Sequence, residues 1–283
     1  MSEVEQPRPS AVNLSDQAIH WDAKMSYGGY LRLEKLLSLQ NTLSSAHDEL
    51  MFIVVHQASE LWMKLAIAEL SAAMREIGRG NPGLAFKMLA RVSRIQAQLT
   101  ESWAVLSTMT PADYSSFRES LGQSSGFQSY QYRQIEFMLG NKNAAMLRAH
   151  HGNPAALAEL ERVLREPSVY DLSLRLLHAG GISLPADVLQ RDFAEPYVAR
   201  AEVEAAWAEV YRNAGKYWDL YELAEKLVDV EHQFQNWRFN HMKTVERIIG
   251  YKRGTGGSSG VTYLVRALDL RFFPELWTVR TAL

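Results

Sequence analysis

Cysteine is absent from all 283 residues of the chain. This absence excludes disulfide bonds, thiolate zinc sites, iron–sulfur clusters, a cysteine nucleophile and the covalent attachment of a c-type haem. A chain without cysteine is compatible with a reducing compartment, and we expect this protein to be cytoplasmic.

Long apolar runs and an excess of charge of one sign are also lacking. No apolar run approaches the roughly eighteen residues that a membrane span needs, and the polar start MSEVEQPRPSAVNLSD has no signal-peptide core. The formal net charge is −2, so we expect neither nucleic acid nor a membrane as a partner. With 47% apolar and 22% charged residues, the composition is that of a soluble globular protein.

Strand signals are scarce, because the sequence has neither alternating β-branched runs nor an Asn-Gly hairpin turn. Helical periodicity dominates instead. It predicts long helices over residues 47–78 and 84–109, and another that begins at 203 or 215 and ends at 249. We therefore predict a flexible arm over residues 1–20, followed by a single all-α domain, a large helical bundle, over residues 21–283.

Local signals predict further helix ends. A short helix is expected from about residue 26 to 41. Thr110 is a predicted N-cap because Pro111 follows it in the first helical turn, and Gly140 is a predicted helix stop. The pair His150 and His151 precedes Gly-Asn-Pro, which predicts a surface turn.

Two histidines occupy core positions on two of the predicted long helices. Steps of three and four residues along the last long helix trace an apolar seam that contains His241: Leu220, Leu223, Leu227, Val230, Phe234, Trp237, His241, Thr244 and Ile248. A similar row on the helix over 47–78 contains His56. A buried polar group without a partner costs about 1–3 kcal/mol, so each imidazole needs a hydrogen-bond partner or a ligand.

Several explanations of these histidines stay open at this point. For any single buried histidine, a hydrogen-bonded core residue is the commoner case, but two on an apolar bundle favour a shared cofactor cavity. A di-iron site needs Glu-x-x-His pairs and a zinc protease His-Glu-x-x-His, and neither is present. Spacing leaves a Ser-His-Asp triad possible, although no Gly-x-Ser-x-Gly segment supports it. A b-type haem needs one neutral imidazole and an apolar slot, which the composition permits.

Two Gly- and Ser-rich loops follow predicted helices. The loop RGTGGSSG (253–260) lacks the third glycine of a dinucleotide-binding fingerprint and the lysine of a phosphate-binding loop. The loop GQSSGF (122–127) follows Tyr114 and Arg118, which are four residues apart and share a helical face. This pair is either a solvated surface pair or a carboxylate clamp, to which Thr255 in the first loop could add a group for a small zwitterion.

The chain resembles the tryptophan 2,3-dioxygenase family over residues 26–278. The resemblance lies in the segments YGGYLRL, DELMFIVVHQASELWMK, FRESLGQSSGFQSYQYRQIEFMLGNKN, LVDVEHQFQNWRFNHMKTVERIIGYKRGTGGSSGV and FFPELW. It implies an enzyme with one b-type haem per subunit, active as ferrous haem in a pocket between long helices. The implied reaction inserts both atoms of O2 across the indole C2–C3 bond of L-tryptophan to give N-formyl-L-kynurenine.

The same resemblance implies roles for individual residues. His241 would be the axial ligand of the haem iron, with Trp103 and Ser125 against the haem, and His56 would be the distal histidine that accepts the indole N–H. The substrate contacts would come from Phe52, Tyr27, Tyr30, Leu31 and Leu121 around the indole, Tyr114 and Arg118 at the carboxylate, and Thr255 at the ammonium group. A homotetramer, as a dimer of dimers, is also implied, in which Tyr27, Tyr30 and Leu31 enter a neighbour's site.

Three alternatives compete with this interpretation. A haem monooxygenase, or a relative that acts on another aromatic amino acid, would keep the scaffold and change the product. A helical haem sensor would have no use for the carboxylate clamp. A structural bundle with two hydrogen-bonded histidines would bind no haem at all.

Overall fold

The computed structural model describes residues 25–283, and within that range every regular element is helical. The α-helices are α1 (Tyr27–Leu31), α2 (Leu33–Leu36), α3 (His47–Gly78), α4 (Pro82–Leu106), α5 (Pro111–Phe117), α6 (Tyr130–Leu139), α7 (Pro154–Arg165), α8 (Val169–Ala179), α9 (Ala186–Leu189), α10 (Ala201–Arg212), α11 (Trp218–Ile249), α12 (Val261–Ala267) and α13 (Pro274–Ala282). This confirms the predicted all-α class. The arm predicted over 1–20 lies outside the described residues.

The described chain divides after residue 41 into two compact units. The first unit contains α1 and α2, where one short helix was predicted. The break occurs at Arg32, which has a left-handed φ of 54° and whose backbone N–H is bonded to the carbonyls of Gly28 and Gly29. Ser26 caps the start of α1 by accepting from the backbone N–H of Gly29.

The second unit, residues 42–283, is organised around α4, which packs along both α3 and α11. Small and branched side chains at helical spacing allow this close packing, because they present a continuous apolar stripe. On α4 the stripe consists of Ala85, Leu89, Val92, Ile95 and Leu99, all buried. The bounds of α3 agree with the prediction, and α4 begins and ends a few residues earlier than predicted.

Helix ends in the second unit follow local chemistry. Thr110 caps α5 in a capping box with Asp113, and Gly140 ends α6 with a φ of 125°, as predicted. The predicted helix that would end at 249 is present as α11, and the segment from 201 forms the separate helix α10. His150 corrects a prediction: it ends a 3-10 helix and is buried rather than lying on a surface turn.

The C-terminal helix α13 is fixed to α11 by a buried carboxylate. Glu231 on α11 accepts hydrogen bonds from the backbone N–H groups of Phe272 and Phe273 and from the indole N–H of Trp277. Burial raises the pKa of Glu231, while these three donors oppose that change. The C-terminal segment therefore belongs to the core of this unit.

One helix in the described part of the chain, α3, is long and apolar enough to cross a membrane by length and composition. This result differs from the expectation based on uninterrupted apolar runs, because polar residues are spaced along α3. Its C-terminal half contributes Ala66, Leu70 and Ala73 to the buried core of the second unit, whereas Leu50 and Leu61 in its N-terminal half are exposed.

Candidate active site

A cavity of about 550 Å³ lies within the second unit, bounded by α3, α4, α6 and α11 and by the two Gly- and Ser-rich loops. We call it the main cavity. Its lining contains most of the residues predicted for the site: Phe52, His56, Trp103, Tyr114, Leu121, Ser125, His241 and Thr255. A pocket of this size, mostly apolar with a few polar groups, is suited to a small molecule or a prosthetic group.

His241 contributes a neutral imidazole to the main cavity. Trp103 stacks on its ring at a centroid distance of 4.6 Å and an angle of 10°, and Trp237 lies 5.2 Å away. Burial, and secondarily the charge of His56, lowers the pKa of His241 to about 4. None of the described residues forms a hydrogen bond with the His241 ring. A neutral imidazole with a free nitrogen is the form that binds a metal.

His56 also faces the main cavity, and its tautomer follows from one hydrogen bond. Its Nδ1 lies 2.7 Å from the carbonyl oxygen of Phe52, and since a carbonyl can only accept, Nδ1 carries the hydrogen. Burial lowers the pKa of His56, although the Phe52 carbonyl and the Glu60 charge oppose the change. Nε2 of this neutral ring is therefore left as an acceptor. The Phe52 ring packs on it at 4.1 Å.

Of the two residues predicted to bind a carboxylate, Tyr114 and Arg118, only Tyr114 lines the main cavity. Tyr114 is buried and lines the main cavity, and its burial raises the pKa of its hydroxyl while Arg118 opposes the rise. Arg118 does not line the main cavity. It instead lines a smaller cavity, and its Nη2 donates to the carbonyl oxygen of Arg253 at 2.7 Å.

The two loops are joined by direct contacts beside the main cavity. The hydroxyl of Thr255 donates to the carbonyl oxygen of Ser124, which ties loop 253–260 to loop 122–127. Ser125 uses its hydroxyl to accept from the backbone N–H of Phe127. Gly256 has no room for a side chain, because a Cβ there would lie 2.7 Å from the Cβ of Ser125. The loops therefore close together on one side of the cavity.

Tyr27, Tyr30 and Leu31 belong to the first unit. They are exposed over 77%, 75% and 40% of their surfaces, respectively. Two tyrosines and a leucine on one short exposed helix form an apolar surface without a partner from their own unit.

A buried charged cluster in the wall of the main cavity was not predicted from the sequence. Arg238 on α11 donates to Glu136 on α6 at 2.9 Å, and Arg133 pairs with the same carboxylate. All three side chains are buried and line the cavity. Arg238 lies three residues before His241 on α11. This spacing from His241 is a sequence signal that Arg238 lies near the site. Nothing in the sequence indicated that Glu136 on α6 would be the partner of Arg238.

Three buried hydrogen-bond donors in this wall have no partner, and they show what kind of group would fit in the main cavity. The indole N–H of Trp103 and the Nε–H groups of Arg133 and Arg238 are buried and have no hydrogen-bond partner. Buried donors of this kind normally have acceptors, so the wall is suited to a group that brings acceptors of its own. Among residues 25–283 no three His, Asp or Glu side chains converge on one point to bind a bare metal ion. A prosthetic group bound through the single imidazole of His241 fits this arrangement.

The fold and the site define an all-α protein whose core encloses a mostly apolar cavity lined by two neutral histidines, His56 and His241. The tryptophan 2,3-dioxygenase family model matches residues 14–283, and the chain belongs to that family. This confirms the resemblance. Members of the family are oxidoreductases that convert tryptophan to N-formylkynurenine.

Curated relatives carry the same family name over nearly their whole length. A tryptophan 2,3-dioxygenase of Bacillus thuringiensis (strain Al Hakam) is 57% identical over 272 residues, which cover 95% of this chain and 98% of the relative. One from Exiguobacterium sibiricum is 58% identical over 275 residues, covering 96% and 98%. One from Bradyrhizobium sp. (strain ORS 278) is 58% identical over 265 residues, covering 94% and 95%.

Proposed function

We propose that this chain is a haem-dependent dioxygenase that binds one b-type haem per subunit and converts L-tryptophan to N-formyl-L-kynurenine. The observation that supports it is the presence of two neutral imidazoles, His56 and His241, in one cavity that also contains three buried N–H donors without a protein acceptor. When bound in its ferrous form, the haem supplies the activation of dioxygen.

His241 is the residue that would hold the haem iron, because its burial keeps the ring neutral and its nitrogens are not used by the protein. The parallel Trp103 ring limits rotation of that imidazole, and its indole N–H is directed at no protein acceptor. Trp103 and Ser125 would therefore contact the haem itself.

His56 orients the substrate. With Nδ1 donating to Phe52, its Nε2 can accept the indole N–H and so fix the plane and direction of the ring. The apolar side chains of Phe52 and Leu121 exclude water from the indole. Because burial disfavours the protonated ring, His56 acts as a neutral acceptor, and transfer of the indole proton is not required of it.

The charged ends of the amino acid would be bound at the edge of the main cavity. Arg118 exchanges its bond to the Arg253 carbonyl for the substrate carboxylate, and the Tyr114 hydroxyl adds a second donor. Thr255, which is held beside Ser124, binds the ammonium group. Each hydrogen bond to a charged group contributes about 1.5–3 kcal/mol, which selects a free amino acid over an indole without these groups.

The active assembly in this proposal is a homotetramer, a dimer of dimers. Tyr27, Tyr30 and Leu31 of one subunit complete the indole pocket of a neighbour. What supports this step is the exposure of all three apolar side chains, since an aromatic surface of this kind is normally covered by a partner.

Turnover in labelled dioxygen tests the proposed reaction. The reduced holoprotein is incubated with L-tryptophan under ¹⁸O₂, and the product is analysed by mass spectrometry. We expect both labelled atoms in N-formylkynurenine. One labelled atom per product would indicate a monooxygenase, and a haem-bound protein without turnover would indicate a sensor. Either result would overturn the proposal.

A further inference from the structure

A second cavity of about 260 Å³ adjoins the main cavity, and Tyr114 lines both. Its walls come from α5 and the turn after it, and from residues 246–252 at the C-terminal end of α11. Apart from Tyr114 and Arg118, no residue of its lining has a role in the proposed reaction. It is smaller than the roughly 300–1,000 Å³ of drug-sized ligand pockets, so its occupant would be a small molecule.

The charged side chains that line the second cavity are mainly cationic. Arg247 and Lys252 line it, and neither side chain forms a hydrogen bond or ion pair with the described residues. Glu246, the only acid among the described residues of the lining, is already engaged by Lys243 at 2.8 Å and by the hydroxyl of Tyr251 at 2.9 Å. The C-terminal end of α11 opposes an anion with about half a negative charge, which is less than the two free cations supply.

Most of the remaining lining is apolar. Pro111, Ile248 and Ile249 face the same space as the cations, and the Ser115 hydroxyl adds a neutral polar group. A ligand that satisfies both parts of the wall carries an anionic group on a compact apolar body. A carboxylate matches the planar fork of an arginine better than it matches a lysine alone.

We propose that the second cavity is a binding site for a small organic carboxylate, held by Arg247, Lys252 and Arg118. Arg118 lines the second cavity while Tyr114, four residues earlier, lines both. On the proposed function, Arg118 also binds the carboxylate of tryptophan. A carboxylate in the second cavity therefore competes for Arg118 and weakens tryptophan binding.

Calorimetric titration of the holoprotein with phenylacetate tests binding directly. The wild type is compared with the double variant Arg247→Ala/Lys252→Ala and with Arg266→Ala, which removes an exposed cation outside this cavity. Loss of two partly exposed ionic contacts should weaken phenylacetate about tenfold in the double variant and leave Arg266→Ala unchanged. Equal affinity in the wild type and the double variant, or no binding to the wild type, would overturn the proposal.

Inhibition kinetics separate this inference from the proposed reaction. Phenylacetate should inhibit tryptophan turnover competitively in the wild type, and the double variant should need about tenfold more phenylacetate for the same inhibition. If the protein shows no turnover but the calorimetric difference is present, the proposed function fails while the carboxylate site stands. If turnover is normal and phenylacetate inhibits the double variant equally well, the carboxylate site fails alone.

Discussion

At the residue scale, the sequence identified the important side chains, but it did not reveal their tautomers or their hydrogen-bond partners. Helical spacing placed His241 in an apolar seam, and the structure places it in the main cavity. The tautomer of His56 could not be predicted, because it depends on the direction of one ring nitrogen toward the Phe52 carbonyl. Nor could the contact of Arg118 with Arg253, since those residues are 135 positions apart.

Lys142 is a buried cation that the sequence did not reveal. Its Nζ donates to the carbonyl oxygens of Val163 and Glu166 at the end of α7, at 2.7 and 2.8 Å. Burial lowers the pKa of Lys142 to about 8, while the charge of Asp171 opposes the change. The folded protein therefore binds fewer protons than the unfolded chain between pH 8 and 10.5, and this group makes stability rise with pH across that window.

Replacing Lys142 with Met should remove this pH dependence. The free energy of unfolding is measured by denaturant titration at several values between pH 7 and 10 for the wild type and Lys142→Met. The difference should move in favour of the wild type by up to about 1.4 kcal/mol per pH unit above pH 8. Lys87→Met, at an exposed position on α4, is the control and should give a constant difference. A constant difference for Lys142→Met as well would refute the assignment.

At the element scale, the long helices were predictable because their stripes of apolar residues continue over many turns. The breaks were less predictable. Arg32 interrupts the first helix by adopting a left-handed conformation that hydrogen bonds to Gly28 and Gly29 stabilise, and an arginine gives no sequence signal for that conformation. Likewise, the burial of His150 depends on how its 3-10 helix packs, whereas the following Gly-Asn-Pro only indicates that a turn is near.

Loop 253–260 contains two glycines whose replacement by alanine has different consequences. At one position only the backbone is strained, and at the other the new side chain also clashes with a neighbouring atom. Gly257 and Gly260 have φ values of 82° and 59°, so an alanine side chain is strained by the backbone conformation at both positions. At Gly257 a Cβ would meet nothing within 4 Å. At Gly260 it would lie 2.7 Å from the carbonyl oxygen of Lys252, so the loop would have to move.

Gly260→Ala should therefore impair substrate binding far more than Gly257→Ala. The loop carries Thr255 and the Arg253 carbonyl that contacts Arg118, and a displacement of about 1 Å in a positioning group costs up to a hundredfold. We expect kcat/KM for tryptophan to fall about ten- to hundredfold below that of Gly257→Ala, with haem content unchanged. Steady-state kinetics with absorbance of the bound haem measure both quantities. Equal kcat/KM in the two variants would show that this contact does not set the loop position.

At the scale of the whole molecule, the family match extends over residues 14–283, and the relatives are matched over nearly their full length. The composition and the helical pattern predicted an all-α bundle correctly. The first unit could not be understood from its own residues, because Tyr27 and Tyr30 are exposed over three-quarters of their surfaces. In the proposed homotetramer, a neighbouring subunit would cover these side chains.

Mixed oligomers test whether these tyrosines act across subunits. One chain carries His241→Ala, which removes the proposed iron ligand but leaves the first unit intact. The other carries Tyr27→Ala and Tyr30→Ala, which leave the haem site intact. Each variant alone should have little activity, the first for want of haem and the second for want of a closed indole pocket.

Co-expression of the two chains should restore turnover, because the first chain supplies its tyrosines to the haem-bearing second chain. With random assembly in equal amounts, about a quarter of the subunits combine an intact haem site with an intact neighbouring segment. Activity per subunit should therefore approach about a quarter of the wild-type value, measured after confirming by tandem affinity tags that both chains are in one oligomer. Co-expression of wild type with His241→Ala serves as the reference for assembly. If the tyrosines close the pocket of their own chain, no mixture of the two variants can regain activity, since every haem-bearing subunit then lacks them.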